Sequence, residues 1–456
     1  MIKRQFCFLL MVTWLIFYGY GFAQQTPPGA NAKQTLAEVD TSMWKYLTAS
    51  DRSEWTITKA DSETAIRTHF MNGRKVYAEV EKLNQKIQSK KVAISEVMDE
   101  LIRLMEQVQE NFEAGLRLNP FETYLRNWIA GVYNFLEQLY AAQNMDQKRL
   151  QILLNTLCLE KDLKKRSILY SKVAEIYLSH QGWTQARKYF QLSNDTMLEG
   201  KEADIDTSRL FRNIYLRGQA ELKLYEGEAA RQSIIYASMI APDKKTYQDL
   251  MGLLDYINWD DANIRASEQF MKARRLVTEQ KFKDAEAAYF ELSDIVQTEP
   301  AQKETQYRLA MLQFNNLDKK DEAIDRLWRV VQKCPIDPAT GTAADSTGQN
   351  YWNAYCRMGL ALANSYLATN KKLAFTYFYK TAQVESPVRG SAFLSLAYLS
   401  RNIPETCLGF CNRAANYVQQ LAPNEQKLLF SILYDANRRL GNFEEALKWF
   451  EKSQEL

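Results

Sequence analysis

The side chains that most often carry out acid–base or metal chemistry are scarce in this sequence. Its 456 residues include two histidines, His69 and His180, which are too far apart to form a local pair. We find no His-Glu-x-x-His, Gly-x-Ser-x-Gly, phosphate-loop or Cys-x-x-Cys motif. Asp260-Asp261 resembles a helix N-terminus, where carboxylates accept backbone N–H groups. We therefore predict no catalytic residue, no metal site and no cofactor, and expect a protein that is not an enzyme.

The cysteines give little more chemistry. Five follow the N-terminal apolar segment, namely Cys158, Cys334, Cys356, Cys407 and Cys411. An odd number cannot all pair, which argues against a disulfide framework. Cys334 and Cys356 bracket the most loop-like stretch of the chain and are our candidates for one disulfide. Cys407 and Cys411 lie four residues apart on a predicted helix, a spacing that favours small buried residues over a zinc site.

The composition favours a helical, globular protein. Apolar residues make up 46% of the chain and charged residues 25%, while Gly (17) and Pro (10) are scarce. Such a chain can bury a core and is neither disordered nor collagen-like. The 58 basic and 55 acidic residues give a net charge of +3, so we predict no nucleic-acid partner. No sustained alternation of apolar and polar residues predicts a strand, and the fold class is predicted to be all-α.

The N-terminus reads as an export signal. Lys3-Arg4 precedes a mostly apolar run that ends at Phe22, and Gly21 and Ala23 supply small residues before a cleavage point. This pattern predicts a signal peptide over residues 1–23. An uncleaved anchor is the alternative, because the run approaches the length of a membrane helix. We expect export in either case, and no integral membrane span after cleavage.

The rest of the chain divides by its helical periodicity and its prolines. We predict a partly flexible leader over 24–64 and a helical region with a degenerate repeat over 65–160. Repeats over 161–335 and 351–456 flank an inserted loop over 336–350, and residues 243–263 carry enough apolar residues for an added helix.

Residues 304–335 show an internal repeat most clearly. Large apolar residues stand at positions 4, 11 and 24 of the window and small ones at 7 and 20, with Met311 at position 8: Tyr307, Ala310, Met311, Phe314, Ala323, Leu327, Val330 and Pro335. Small residues let two antiparallel helices approach, and large ones fill the space between neighbouring pairs. The same frame recurs from Ser167, Phe211 and Ala266. This spacing resembles the tetratricopeptide repeat, which implies a right-handed superhelical array of antiparallel helix pairs.

The resemblance also implies a binding surface. In that family the first helix of each pair lines a concave groove that receives a partner segment. The matching positions here are Arg212, Tyr215, Gln219, Phe270, Arg274, Thr305, Arg308, Asn315 and Asn316. Guanidinium groups suit carboxylates, and Asn amides suit peptide backbones. The other reading of each position is a solvated helix face.

These features together predict a non-catalytic scaffold or adaptor that binds other proteins or peptide segments of the cell envelope. The expected location is the periplasm or outer envelope of a diderm bacterium. Asp195-Thr196-Met197 and Asp345-Ser346-Thr347 resemble the short motif that Bacteroidetes-type bacteria O-glycosylate after export. The alternative is a glycan-binding helical-repeat protein of the envelope involved in nutrient capture, because the chain is rich in aromatic residues. An active site within residues 24–160 is a third hypothesis.

Overall fold

The computed structural model describes residues 36, 39–48, 59–89, 93–200, 205–335 and 345–455. These residues form α-helices, one short 3-10 helix and turns, with no strand among them. The predicted all-α fold class is confirmed. The predicted signal peptide lies outside the described residues, as do most of the leader and positions 336–344 of the predicted loop. Among the described helices, none combines the length and apolar character needed to cross a membrane.

The first of two compact units extends to Ile264. Helices α2 to α9 form consecutive pairs, α2 with α3, α4 with α5, α6 with α7 and α8 with α9, and neighbouring pairs also touch. The predicted added helix is α10, which packs on α9. The helices are α1 (Trp44–Leu47), α2 (Lys59–Gln88), α3 (Ile94–Leu118), α4 (Thr123–Ala142), α5 (Asp146–Leu159), α6 (Leu163–Ser179), α7 (Trp183–Leu198), α8 (Thr207–Lys223), α9 (Gly227–Met239) and α10 (Lys244–Asn258). Since α1 and the start of α2 fall within 24–64, the end of the predicted leader is helical.

The second unit runs from Arg265 to Leu456 and repeats the paired arrangement. Its helices are α11 (Ile264–Thr278), α12 (Phe282–Ile295), α13 (Glu299–Asn316), α14 (Lys320–Val331), α15 (Ser346–Tyr366), α16 (Lys371–Ala382), α17 (Arg389–Leu399), α18 (Pro404–Ala415), α19 (Pro423–Arg439) and α20 (Phe443–Gln454), with a 3-10 turn at Val418–Gln420. The pairs α13–α14, α15–α16, α17–α18 and α19–α20 pack closely. On α11, Gln269 Nε2 donates to the Ala288 carbonyl of α12 (3.1 Å). Because the Asp345 side chain caps α15, positions 346–350 of the predicted loop are helical.

Six of the pairs share one turn. Each turn places a residue at positive φ two positions before the second helix: Asn144, Gln181, Tyr225, Gln280, Asp318 and Gly441. The next N–H then reaches back to a carbonyl of the first helix, as from Gly182 to Tyr177 (2.8 Å) and from Lys281 to Leu276 (2.9 Å). This Schellman-type bond satisfies a carbonyl that the helix end leaves free. The left-handed residue therefore sets the short reversal that lets the two helices pack.

Small buried residues allow the helices of a pair to approach. Ala310 of α13 and Ala323 of α14 are fully buried, whereas Met311 is half-buried. On α8, a Cβ added to Gly218 would come within 2.9 Å of Ile234 Cδ1 on α9. The close approach predicted from the repeat spacing is thus present, with Ala310 rather than Met311 in the tight position.

The predicted disulfide between Cys334 and Cys356 is wrong, because both residues are free cysteines. They belong to one buried apolar cluster, yet each thiol donates to a carbonyl: Cys334 to Val330 (3.5 Å) and Cys356 to Thr381 (3.8 Å). Burial raises the pKa of Cys356 to about 11. Cys407 and Cys411 are also buried, as expected of small core residues.

Candidate functional site

The residues predicted to line a groove are divided between the two units. Arg212, Tyr215 and Gln219 lie on α8 of the first unit. In the second unit, Phe270 and Arg274 lie on α11, and Thr305, Arg308, Asn315 and Asn316 lie on α13. We describe each unit separately.

Two of these predicted surface residues are core residues. Thr305 is fully buried and its hydroxyl donates to the Ala301 carbonyl (2.7 Å). It shares the buried side of α13 with Ala301 and Leu309, four residues before and after it. Phe270 is buried on the side of α11 that carries Ala266 and Ala273. The side chains of Thr305 and Phe270 are therefore enclosed by this chain and cannot line a partner-binding surface.

The α8 residues offer little free charge. Arg212 is exposed but forms an ion pair with Glu175 of α6 (Nη2–Oε1 3.2 Å). Tyr215 stacks on Phe211 with ring centroids 6.2 Å apart, and burial raises the pKa of Tyr215. Gln219 is half-buried. Since its arginine already has a carboxylate partner, this part of the first unit is close to electrically balanced.

In the second unit the charges are not balanced, and Arg308 is the first of the arginines involved. Its Nε donates to Glu304 Oε1 (2.6 Å), while the Tyr351 hydroxyl of α15 donates to Glu304 Oε2 (2.8 Å). Both oxygens of Glu304 are thus occupied, and burial together with this carboxylate raises the pKa of Tyr351. The Arg308 guanidinium also lies 5.6 Å from the Tyr307 ring centroid. Ring and carboxylate hold it in place, and its Nη atoms have no hydrogen bond within the described chain.

Arg274 supplies a second cation close to Arg308. Burial lowers the pKa of Arg274, and the charge of Arg308 lowers it further. The Arg274 guanidinium lies 5.5 Å from the Phe270 ring and makes no ion pair or hydrogen bond in the described residues. Tyr289 of α12 is buried near both arginines: burial raises its pKa to about 12, although the two positive charges act to lower it. Glu304 is thus the counter-ion of two neighbouring cations.

Arg357 of α15 supplies a third cation that sequence reasoning missed. It is exposed and has no ion pair in the described part of the chain. It lies close to Tyr307: burial raises the pKa of that phenol, and the charges of Arg308 and Arg357 oppose the rise. Arg274, Arg308 and Arg357 therefore stand on the first helices of three successive pairs, and Glu304 is the ion-pair partner of Arg308. We call these four residues the arginine face. It carries excess positive charge, which suits a ligand with several carboxylates.

Asn315 and Asn316 extend this surface along α13. Both are exposed at the C-terminal end of the helix. Asn315 is seven residues from Arg308, so the two lie on the same side of α13 about 10 Å apart. An amide at this position can donate to and accept from a peptide backbone.

The other residues considered for chemistry have structural partners. His180 caps the end of α6, and its Nε2 lies 2.9 Å from Asp146 Oδ2. Asp260 is buried in the turn before α11 and accepts from Asn263 Nδ2 (2.8 Å). His69 is half-buried on α2. Over the described ranges, no group of three His, Cys, Asp or Glu residues could hold a metal ion.

No protein-family model and no curated protein matches the chain. Similar solved structures include aspartyl phosphate phosphatase F from Bacillus subtilis, at 15% identity over 88% of this chain and 94% of that chain, with a TM-score of 0.28. A Rap protein complexed with competence and sporulation factor matches at 12% identity over 81% and 99%, with a TM-score of 0.22. Yeast Tom70 matches at 12% over 89% and 93%, with a TM-score of 0.24. Likeness at this level carries no functional argument, and the all-α helix-pair fold rests on the chain's own packing.

Proposed function

We propose that this chain is a non-catalytic scaffold or adaptor of the cell envelope that binds other proteins, and that its arginine face receives an acidic segment of the partner. The observation that carries the proposal is the charge imbalance of that face. Arg308 is paired with Glu304, whereas Arg274 and Arg357 have no ion-pair partner among the described residues. Water supplies the missing hydrogen bonds in the free protein, and a partner carboxylate can replace that water with charge-assisted bonds.

The arginines are also partly immobilised before binding. Arg274 lies over Phe270 and Arg308 over Tyr307, at cation–π distances. A guanidinium that is already stacked loses less conformational freedom when it binds a carboxylate. A hydrogen bond to a charged group contributes roughly 1.5–3 kcal/mol, and about 1.4 kcal/mol corresponds to a tenfold change in affinity. Loss of any one of these arginines should therefore weaken the affinity for an acidic partner segment by about tenfold or more.

The envelope location rests on the N-terminal sequence. Lys3-Arg4, the apolar run and Ala23 favour export of the remainder. Of the two glycosylation-like motifs, the acceptor Thr196 is buried in α7, whereas Ser346 at the start of α15 is exposed. If the chain is modified after export, Ser346 or its neighbour Thr347 is the accessible acceptor.

Peptide binding to the full chain tests the proposal. The probe is a fluorescein-labelled peptide of about twelve residues with several glutamates, and the matched probe has glutamine in their place. We expect the glutamate peptide to bind more tightly, and Arg274→Ala and Arg357→Ala each to weaken it about tenfold. Arg103→Ala, an exposed arginine on α3, is the control and should change binding by less than about twofold. Equal binding of the two peptides, or no effect of either face variant, would contradict the proposal.

Two further measurements separate the remaining parts of the proposal. Cell fractionation with N-terminal sequencing should find a chain beginning at Gln24 in the envelope fractions, and a cytoplasmic chain that retains Met1 would refute export. Oligosaccharides should neither bind nor displace the acidic peptide. Displacement by a neutral oligosaccharide would instead favour the glycan-binding alternative.

A further inference from the structure

The last helix, α20, carries an exposed apolar stripe. Phe443, Leu447 and Phe450 are 69%, 58% and 44% exposed. Their spacing of four and three residues places them on one side of the helix over about 10 Å. Large apolar side chains that line up on a helix surface mark an interaction site, whereas isolated ones need no explanation.

The stripe is not needed to hold α20 in place. The helix packs on α19 through buried Ala446 and Ser453, and the Trp449 ring stacks on Phe430 at 5.5 Å. Phe450 lies at the edge of this contact, with its ring 5.5 Å from that of Tyr434. Phe443 and Leu447 therefore lie beside the packing face of α20, and Phe450 lies at the edge that the two share.

The charges beside the stripe indicate what can cover it. Glu444 and Glu451 are seven residues apart along one edge, and both are exposed. Lys448 stands between them in sequence but is paired with Glu445 (2.9 Å), so this edge has more carboxylates than lysines. Along the other edge, Arg438 lies over Tyr434, and Arg438 and Arg439 are both paired with Asp435 (3.2 and 3.9 Å). The excess negative charge therefore lies on one edge of the stripe, at Glu444 and Glu451.

We propose that this stripe docks an amphipathic α-helix of another protein, whose own apolar stripe is flanked by Lys or Arg. A regular i, i+4, i+7 stripe matches the spacing of a partner helix. A second copy of the chain fits poorly, because two-fold antiparallel pairing of α20 would place Glu444 against Glu451 of the other copy. An anionic membrane surface would be repelled by the same two carboxylates. This surface is separate from the arginine face.

The test uses the full chain and two synthetic helical peptides of about 18 residues, long enough to form a helix on binding. Both carry a leucine stripe; one has lysines along the flank and the other has glutamates there. Fluorescence anisotropy should show the lysine-flanked peptide binding at least about tenfold more tightly. Leu447→Gln should abolish that binding, and circular dichroism should confirm unchanged helicity. Leu428→Gln, an exposed leucine on α19, is the matched control and should keep it.

A charge-reversed variant tests the flank. The double substitution Glu444→Lys and Glu451→Lys should reverse the preference, so that the glutamate-flanked peptide binds more tightly. The proposal is overturned if the two peptides bind equally to the unmodified chain, or if neither binds at roughly 100 µM. Dimerisation that Leu447→Gln abolishes would assign the stripe to a second copy. Binding to phosphatidylserine vesicles that the same variant abolishes would assign it to a membrane.

Discussion

Substitutions in the turns that join the helix pairs should change the free energy of unfolding in opposite directions at two positions of the second unit. Gly441 has φ +81°, and a Cβ added there would meet nothing within 4 Å. Gly441→Ala therefore costs the backbone strain of an L-residue in the left-handed region, partly offset because the unfolded chain loses freedom, for a net loss of about 0.5 kcal/mol. Gln280 occupies the equivalent turn position at φ +59° and is exposed, so its strain is already present. Gln280→Gly removes that strain but gives the unfolded chain more freedom, for a net gain of about 0.5 kcal/mol.

Urea unfolding followed by circular dichroism at 222 nm measures both changes. With a denaturant slope of about 3 kcal/mol per M, Gly441→Ala should lower the midpoint of the second unit's transition by about 0.2 M. Gln280→Gly should raise it by about the same amount. Gln280→Ala is the control and should leave the midpoint nearly unchanged, because both residues carry a Cβ. If Gln280→Gly destabilised the chain as much as Gly441→Ala does, the left-handed turn at Gln280 would be refuted.

Three further results are expected. Arg308→Glu should weaken the binding of acidic peptides and lower the melting temperature by a few degrees. The substitution breaks the ion pair with Glu304 and places two carboxylates one helical turn apart. A melting temperature identical to that of the unmodified chain would contradict this ion pair. Cys356 should resist iodoacetamide at pH 8 in the folded chain, since burial raises its pKa to about 11. It should react once the chain is unfolded without reductant. A failure to react after unfolding would indicate a disulfide. Burial raises the pKa of Glu286, but hydrogen bonds from Gln313 and Lys319 outweigh this effect, and the pKa is lowered overall. The free energy of unfolding should therefore fall as pH drops below about 4.3. Glu286→Gln should make this loss less steep in an acid titration of unfolding, and an unchanged slope would refute the prediction.

The all-α fold and its close helix pairs could be predicted because they depend on spacing alone. Alanines at positions 310 and 323 stand where two helices must approach, and both are buried. Scarce glycine and the absence of alternating patterns excluded a sheet. The Asp345 cap was harder to find, since a polar stretch such as 336–350 looks like loop until a helix start is recognised within it.

The repeat pattern could not predict which individual side chains are buried and which are exposed. Thr305 was placed on the surface by a window that begins at residue 304, whereas α13 begins at Glu299. An offset of one residue turns a side chain by about 100°, which is enough to exchange a core position for an exposed one. Arg357 was missed because groove positions were assigned only in the repeats that fit the frame well, and the segment from Tyr351 to Pro423 departs from that frame. The disulfide prediction was wrong because the nearness of two cysteines to a loop does not determine where their thiols point.

The most direct test of the central claim is affinity capture with the full chain from gently solubilised envelopes of its host. The unmodified chain, the double variant Arg274→Ala/Arg357→Ala and the control Arg103→Ala serve as baits, and mass spectrometry identifies what co-elutes. We predict a stoichiometric protein partner that the unmodified chain and the control retain and the double variant loses. Identical partners on all three baits, or recovery of the bait alone, would contradict a protein-binding role for the arginine face.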